Sequence, residues 1–156
     1  MEMNIKIDLL KNHVALIPEL AKILNQGLGK WLGDVNSAEI ESWLHEWLND
    51  TIPCAYIAII GDLPVGICSL QLNDGIRSDL KPWLGDLCVA KDYQGRGIGT
   101  LLVNAVKNKA KGLGHTKLYL FTPEPNMHEY YTILGFKEVG ADEYNCHKVL
   151  IMEVGL

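Results

Sequence analysis

Three glycines alternate along Gln94-Gly95-Arg96-Gly97-Ile98-Gly99-Thr100, directly after the apolar run Trp83 to Val89 and at the start of a helical pattern. At the first turn of a helix the backbone N–H groups have no intrahelical partners, and the helix dipole adds roughly half a positive charge. An anionic phosphate is the natural partner of such a terminus. Glycines at 95, 97 and 99 leave out the Cβ atoms that would hold a phosphate away from the amides, and they allow φ > 0 where the turn needs it. The chemistry on offer is a phosphate cradle. Arg96 either adds a charge-assisted contact to the same anion or stands as a solvated loop cation.

Two common phosphate-binding patterns do not fit. A P-loop requires a lysine after its last glycine, and here Thr100 follows Gly99. A dinucleotide fingerprint requires a third glycine where this chain has Thr100, and repeated strand-helix-strand units on both sides. Other chemistries find little support. Cys54, Cys68, Cys88 and Cys146 include no C-x-x-C pair and three lie in strand-like runs, so buried free thiols are expected. The five histidines show no metal-ligand spacing, and no metal site is expected. A net charge of −5 argues against a nucleic-acid partner and is compatible with a cationic substrate. No apolar run approaches the roughly 20 residues of a membrane span, and the N-terminus lacks a signal-peptide core. A cytoplasmic location is the default that follows.

The elements that must position the cradle can be read in order. With 156 residues, the chain suits one domain spanning 1–156. Asn4 to Leu9 alternates as a short strand. Leu16 to Leu28 has helical periodicity, with Pro18 in its first turn and Gly27 and Gly29 closing it. A second helix is predicted from Ser37, its N-cap, to Asn49, with Trp43 and Trp47 packing on a sheet or walling a cleft. Cys54 to Ile60 and Val65 to Leu72 flank the turn Gly61-Asp62-Leu63-Pro64 and read as a hairpin. After a loop from Asn73 to Lys81 comes the strand Trp83 to Val89. The helix that follows the glycines carries a stripe of Ile98, Leu101, Leu102, Ala105 and Val106 and stops near Gly112. Lys117 to Phe121 is a strand joined to Trp83–Val89 by that helix, a parallel right-handed crossover. A loop from Thr122 to Asn126, a short helix from Met127 to Leu134 closed by Gly135, and strands Phe136 to Val139 and Lys148 to Val154 complete the chain. The fold class is α/β (α+β): a central mixed, mostly antiparallel sheet with one parallel crossover, in the order β-α-α-β-β-β-α-β-α-β-β.

Gln94-Gly95-Arg96-Gly97-Ile98-Gly99 matches the Q/R-x-x-G-x-G/A motif of the GNAT superfamily of acetyl-CoA-dependent N-acetyltransferases. Leu87-Cys88-Val89 resembles that family's fourth strand, and Tyr130-Tyr131-Thr132-Ile133-Leu134-Gly135-Phe136 is similar to its aromatic-Tyr-x-x-x-Gly-Phe segment. The element order follows the family's as well. The resemblance implies that the amides from Gly95 to Thr100, led by Gln94, hold the pyrophosphate of coenzyme A. It implies that Leu87, Cys88 and Val89 pair with the pantetheine arm and position the acetyl carbonyl. Tyr131 occupies the place of the general acid that protonates the departing thiolate, a role a phenol can fill. The alternative for Tyr131 is packing with its hydroxyl bonded to backbone, and Tyr130 is expected in the core.

The attacking amine must be neutral, so a base or water chain is required near the acetyl group. Asp86 is the best placed carboxylate and resembles an acidic residue of polyamine-type members, although a strand-edge carboxylate facing solvent is the plainer alternative. Trp83 could line the same cleft. Glu124 and Asp79 are fallback bases. Glu124 also stands where many members have an asparagine that contacts pantetheine, so that contact is not carried over.

The expected reaction is direct transfer of acetyl from acetyl-CoA to a primary amine of a small-molecule acceptor, a cation being compatible with the charge, with no covalent enzyme intermediate. A non-catalytic acyl-CoA-binding module and an acetyltransferase of protein lysines or N-termini are the alternatives. A homodimer, common in the resembled family, is compatible with the sequence.

Overall fold

The strand Cys54–Ile60 (β2) sorts its side chains by the two-residue period of an extended chain. Cys54 and Ala58 enter the core on one face of a sheet with Leu102 and Val106, while Ala55, Ile57 and Ile59 enter the core on the other with Leu20, Leu24 and Leu44. The helices divide accordingly. Ile17–Leu32 (α1) and Ser37–Glu46 (α2) cover one face, and Ile98–Gly112 (α3) covers the opposite one. Burying an apolar stripe on each side of a sheet is the arrangement expected for a three-layer domain.

The computed structural model describes residues 4–123 and 127–156. Its seven strands add Ile5–Leu9 (β1), Leu63–Gln71 (β3), Trp83–Val89 (β4), Lys117–Pro123 (β5), Lys137–Tyr144 (β6) and His147–Gly155 (β7), with a short helix His128–Ile133 (α4) before β6. The sheet order is β1-β2-β3-β4-β5-β7-β6. Every neighbouring pair is antiparallel except β4 and β5, which α3 joins as a parallel crossover. This is the single α/β domain with one crossover that the sequence predicts.

The β4–β5 junction is what makes a site. The two strands pair at one register position, Trp83 with Tyr119, and then separate. β4 continues against β3 as far as Val89, and β5 continues against β7 as far as Pro123. The facing edges of 84–89 and 120–123 are thereby left without strand partners and open as a wedge toward the N-terminus of α3.

Several boundaries differ from the sequence reading. α1 runs through Gly27 and Gly29 to Leu32 and ends at Gly33, whose φ is 76°. α2 stops at Glu46, and its N-cap is Asn36, whose side chain accepts from the Glu39 N–H at 2.9 Å, one residue before the expected Ser37. On α3 Leu101 turns to solvent, and Val103 is buried in its place. β6 is longer than Phe136 to Val139 and forms a two-residue hairpin with β7 through Asn145 and Cys146, at φ 47° and 65°. Such turns normally carry glycine, which is why the polar stretch reads as a loop. Cys146 is correspondingly exposed, whereas Cys54, Cys68 and Cys88 are buried, and all four are free thiols. Among the described residues no helix is long and apolar enough to cross a membrane.

Candidate active site

The wedge contains a cavity of about 630 Å³ that reaches from the start of α3 to the inner ends of α1 and of the β6–β7 hairpin. At its outer end lies the glycine turn. Gly97 is the N-cap of α3 in the left-handed conformation, with φ 82°, and Gly95 has φ 77°. Gly99 serves a different purpose, since a Cβ there would lie 2.9 Å from the Tyr130 hydroxyl. Tyr130 is half-buried and packs against the α3-side core, as expected, while its hydroxyl end reaches the site. Its hydroxyl is 3.1 Å from Thr100 Oγ1 and it lines the cavity. Gln94, Gly95, Gly97, Ile98, Gly99 and Thr100 all line it as well. Gln94 Nε2 donates to the Val89 carbonyl at 3.0 Å and ties the turn to the end of β4. Arg96 is exposed, with its guanidinium 5.3 Å from the Tyr93 ring centre.

A bulge shapes the middle of the cavity. Ile67 pairs with Cys88 and Ser69 with Gly85, so β4 spends one residue more than β3 over this interval. The extra residue falls at Asp86, whose φ is 55°. Its effect is read in the packing: Leu84 lies in the α3-side core before it, whereas after it Leu87 and Val89 face that side and Cys88 faces α1. Leu87, Cys88 and Val89 line the cavity along the unpaired edge. The Cys88 thiol donates to the Ile23 carbonyl at 3.4 Å, and burial, with the Asp86 charge behind it, pushes its pKa up to about 11. A thiol of that kind is a poor nucleophile at neutral pH. Gly27 explains why α1 can lie so close: a Cβ there would overlap the Cys88 sulfur.

Tyr131 is held by the end of its own helix. The Gly135 N–H donates to the Thr132 carbonyl and the Phe136 N–H to the Tyr131 carbonyl, both at 3.0 Å, with Gly135 at φ 98°. That is a Schellman cap, and its usual apolar contact is supplied by the Tyr131 and Phe136 rings, 5.8 Å apart. The Gly-Phe pair thus fixes the tyrosine. Tyr131 is buried at the cavity wall, and burial pushes its phenol well above the usual tyrosine range, so it stays protonated.

The inner end of the cavity is acidic and aromatic. Ser69 Oγ donates to Asp86 Oδ2 at 2.7 Å. Asp86 is half-buried at the cavity wall and bonded to Ser69, not displayed at an open strand edge, and burial raises its pKa, with the Ser69 hydrogen bond acting in the opposite sense. Asp74, in the expected loop from Asn73 to Lys81, also lines the cavity, and burial followed by the Asp86 charge raises its pKa well above the ordinary value. Around the pair stand Trp31, Phe121, Tyr144 and His147. Trp31 and His147 meet edge to face at 4.5 Å, and Asn145 Nδ2 donates to the Trp31 carbonyl at 2.9 Å, joining α1 to the hairpin. No local pattern marks Asp74 or His147, since both are brought in by long-range packing. Trp83 lies below the cavity: it is fully buried against Tyr119 and Phe121, with its indole N–H on the Leu80 carbonyl at 2.7 Å. Asp79 is exposed and accepts from Arg77 Nε at 2.9 Å and Nη2 at 2.8 Å, away from the cavity. Glu124 lies outside the described residues.

A family model described as "Acetyltransferase (GNAT) family" matches residues 18–136. No curated protein matches the sequence at a significant level. Among solved structures, PaiA N-acetyltransferase from Thermoplasma acidophilum in complex with coenzyme A superposes with a TM-score of 0.72 at 20% identity, covering 99% of this chain and 100% of that one. Aminoglycoside 6'-acetyltransferase type Ii gives 0.75 at 24% identity, covering 96% of each chain. A chain of the NatC complex bound to Gag peptide and coenzyme A gives 0.72 at 18% identity, covering 100% of this chain and 99% of that one. Likeness at these identities concerns the fold alone.

Proposed function

The chain belongs to the acetyltransferase (GNAT) family, and from that membership we propose that it transfers an acetyl group from acetyl-CoA directly to a primary amine of a small cationic acceptor. One observation carries the reading. The separation of β4 and β5 after a single paired position creates one cavity that joins the α3 N-terminus, the unpaired edge of Leu87 to Val89, Tyr131 and Asp86.

The turn suits the pyrophosphate of coenzyme A. Gly95 and Gly97 adopt left-handed backbone at no steric cost, and the first amides of α3, from Ile98 to Thr100, face an approaching anion. The edge of 87–89 offers backbone groups for the amides of a pantetheine arm, in the manner of an added strand. Neighbouring structures with coenzyme A, and the continuity of the cavity from the α3 N-terminus along Leu87 to Val89, support that orientation.

With the thioester laid along β4, the amine nitrogen attacks the acetyl carbonyl carbon and the carbon–sulfur bond breaks. The Tyr131 O–H gives its proton to the leaving sulfur; its burial keeps the phenol protonated until that step, and a solvent proton restores it afterwards. The proton lost by the amine passes to Asp86, whose raised pKa makes it a stronger base than an exposed aspartate. Cys88 stays a neutral thiol, consistent with direct transfer in a ternary complex.

Release of free coenzyme A from acetyl-CoA in the presence of an amine panel tests the reading. Tyr131→Phe is expected to lower turnover by about 10- to 1000-fold, the scale of lost acid catalysis, with acetyl-CoA affinity unchanged. Unchanged turnover removes Tyr131 from the mechanism. Tight coenzyme A binding with no transfer to any amine leaves a binding module instead.

A further inference from the structure

Asp74 and Asp86 come from different segments and converge on one small volume. Gly85, the residue before the bulge, has room for the Asp74 carboxyl only because it lacks a side chain: a Cβ there would lie 2.9 Å from Oδ2 and 3.2 Å from Oδ1. The carboxyl of Asp74 is thus seated on the β4 backbone next to Asp86, at the cavity wall. Ser69 gives Asp86 one donor. Among the described residues no side chain hydrogen-bonds or ion-pairs with Asp74. The charged and titratable groups that face the two are each other, Cys68 and Cys88 from β3 and β4, Tyr144 from β6 and His147 from β7, and among the described residues no lysine or arginine lines the chamber. Two enclosed carboxylates of the same sign are unfavourable unless a proton or a cation answers them. The rings of Phe121 and Tyr144 line the same chamber, as does Trp31, which already holds Lys30 Nζ 5.0 Å from its ring centre, and aromatic rings of this kind attract cations.

We propose that Asp74 and Asp86 act together as one dicarboxylate receiving the ammonium of the acceptor, which restricts acceptors to cationic amines that bring no carboxylate of their own into the cavity. The assignment rests on the acetyl-transfer reading above for the word acceptor, while the cation site itself stands on the geometry. In the free protein the pair retains a proton. An incoming R–NH3+ replaces it, and that proton leaves to solvent. The ammonium then gives one of its own protons to Asp86 as its nitrogen becomes the nucleophile, and the second, lost as the amide forms, leaves to solvent. Asp74 is a positioning residue: it holds the ammonium and raises the proton affinity of its neighbour.

Calorimetry on the protein loaded with coenzyme A, in two buffers of different ionisation enthalpy at neutral pH, tests this. The ligands are tyramine and 1,4-diaminobutane, against tyrosine and 4-aminobutanoate. The amines are expected to bind with release of about one proton each, and their carboxylate-bearing counterparts roughly 100-fold more weakly. Asp74→Asn should weaken amine binding by at least roughly tenfold and abolish the proton release, with coenzyme A affinity intact and partial recovery in Asp74→Glu. Gly85→Ala, which displaces the Asp74 carboxyl without altering charge, should reproduce the loss and covers the case in which Asp74→Asn does not fold. Equal affinity for tyramine and tyrosine, unaltered proton release in Asp74→Asn, or no binding of either amine overturns the proposal. Amine binding of the expected kind without acetyl transfer overturns the acetyltransferase reading and leaves the cation site standing. Transfer to amines with and without a carboxylate at equal rates does the reverse.

Discussion

Replacing Gly27 by alanine separates two effects of opposite sign. In a helix interior glycine costs roughly 0.5–1 kcal/mol relative to alanine, so Gly27→Ala should stabilise α1 by that amount if nothing opposed it. Here the new Cβ would overlap the Cys88 sulfur. Overpacking of a filled core costs about 1–3 kcal/mol, and the sulfur cannot move freely because its thiol donates to the Ile23 carbonyl one turn away. The net expectation is a loss of about 1–2 kcal/mol, near 2–4 °C per kcal/mol in a chain of this length. In a Cys88→Ala background the sulfur is gone, and the nearest remaining atom, the Cβ of residue 88, is 3.7 Å from the added methyl, an ordinary contact. The same Gly27→Ala change should there become neutral or stabilising. A double-mutant cycle by urea unfolding should therefore give a coupling of about 2 kcal/mol. Stabilisation by Gly27→Ala with Cys88 in place would refute the claim that this glycine exists to let α1 approach β4.

At Gly97, φ 82° leaves open space around a Cβ, so alanine there tests backbone strain alone. A left-handed alanine costs about 1–2 kcal/mol. That cost should appear as a lower Tm or, if the turn relaxes, as up to roughly tenfold weaker acetyl-CoA binding, and no change in either measurement contradicts a strained cradle. Asp74 should also set a pH dependence of stability. Its folded pKa is raised above the unfolded value by burial and by the Asp86 charge, so its contribution is fully present below about pH 3.8 and is lost as pH rises through the folded value. Asp74→Asn should accordingly raise the Tm of the free protein at neutral pH, by an amount that shrinks toward pH 4, and a gain that is independent of pH would count against the raised pKa.

The parts of this molecule legible in the sequence are those governed by neighbours along the chain. The glycine turn, the strand before it, the helix after it and the Tyr131 segment with its Gly135-Phe136 cap are each written within a few consecutive residues, and the structure places the first three on one side of the cavity and Tyr131 on its wall. At the inner end of the cavity only Asp86 is legible. Asp74 is called in by the absence of a side chain at Gly85, and His147 by a hairpin turn of Asn145 and Cys146 that carries no glycine. Gly27 misleads for a related reason: locally it reads as a helix end, whereas its cause is the sulfur of Cys88, sixty-one positions away in sequence. Trp83 errs in the other direction, since an aromatic residue beside the cradle in sequence is carried into the core at the one position where β4 and β5 still pair.

The bulge at Asp86 ties these features together. A regular β4 would keep Leu84, Asp86 and Cys88 on one face and Gly85, Leu87 and Val89 on the other, by the two-residue period. Inserting one residue reverses the faces after Asp86, so that Leu87 and Val89 join the α3-side core and Cys88 meets α1. The residue that absorbs the insertion takes a positive φ, which for a non-glycine costs on the order of 1–3 kcal/mol. The Ser69 hydrogen bond at 2.7 Å offsets part of that cost and fixes the carboxyl in place. If the strain serves the site, Asp86→Gly should relieve it and raise stability while removing acetyl transfer, whereas Asp86→Asn should retain the strain and the Ser69 contact. A stability gain in both variants of equal size would mean that the buried charge, and not the backbone, carries the cost.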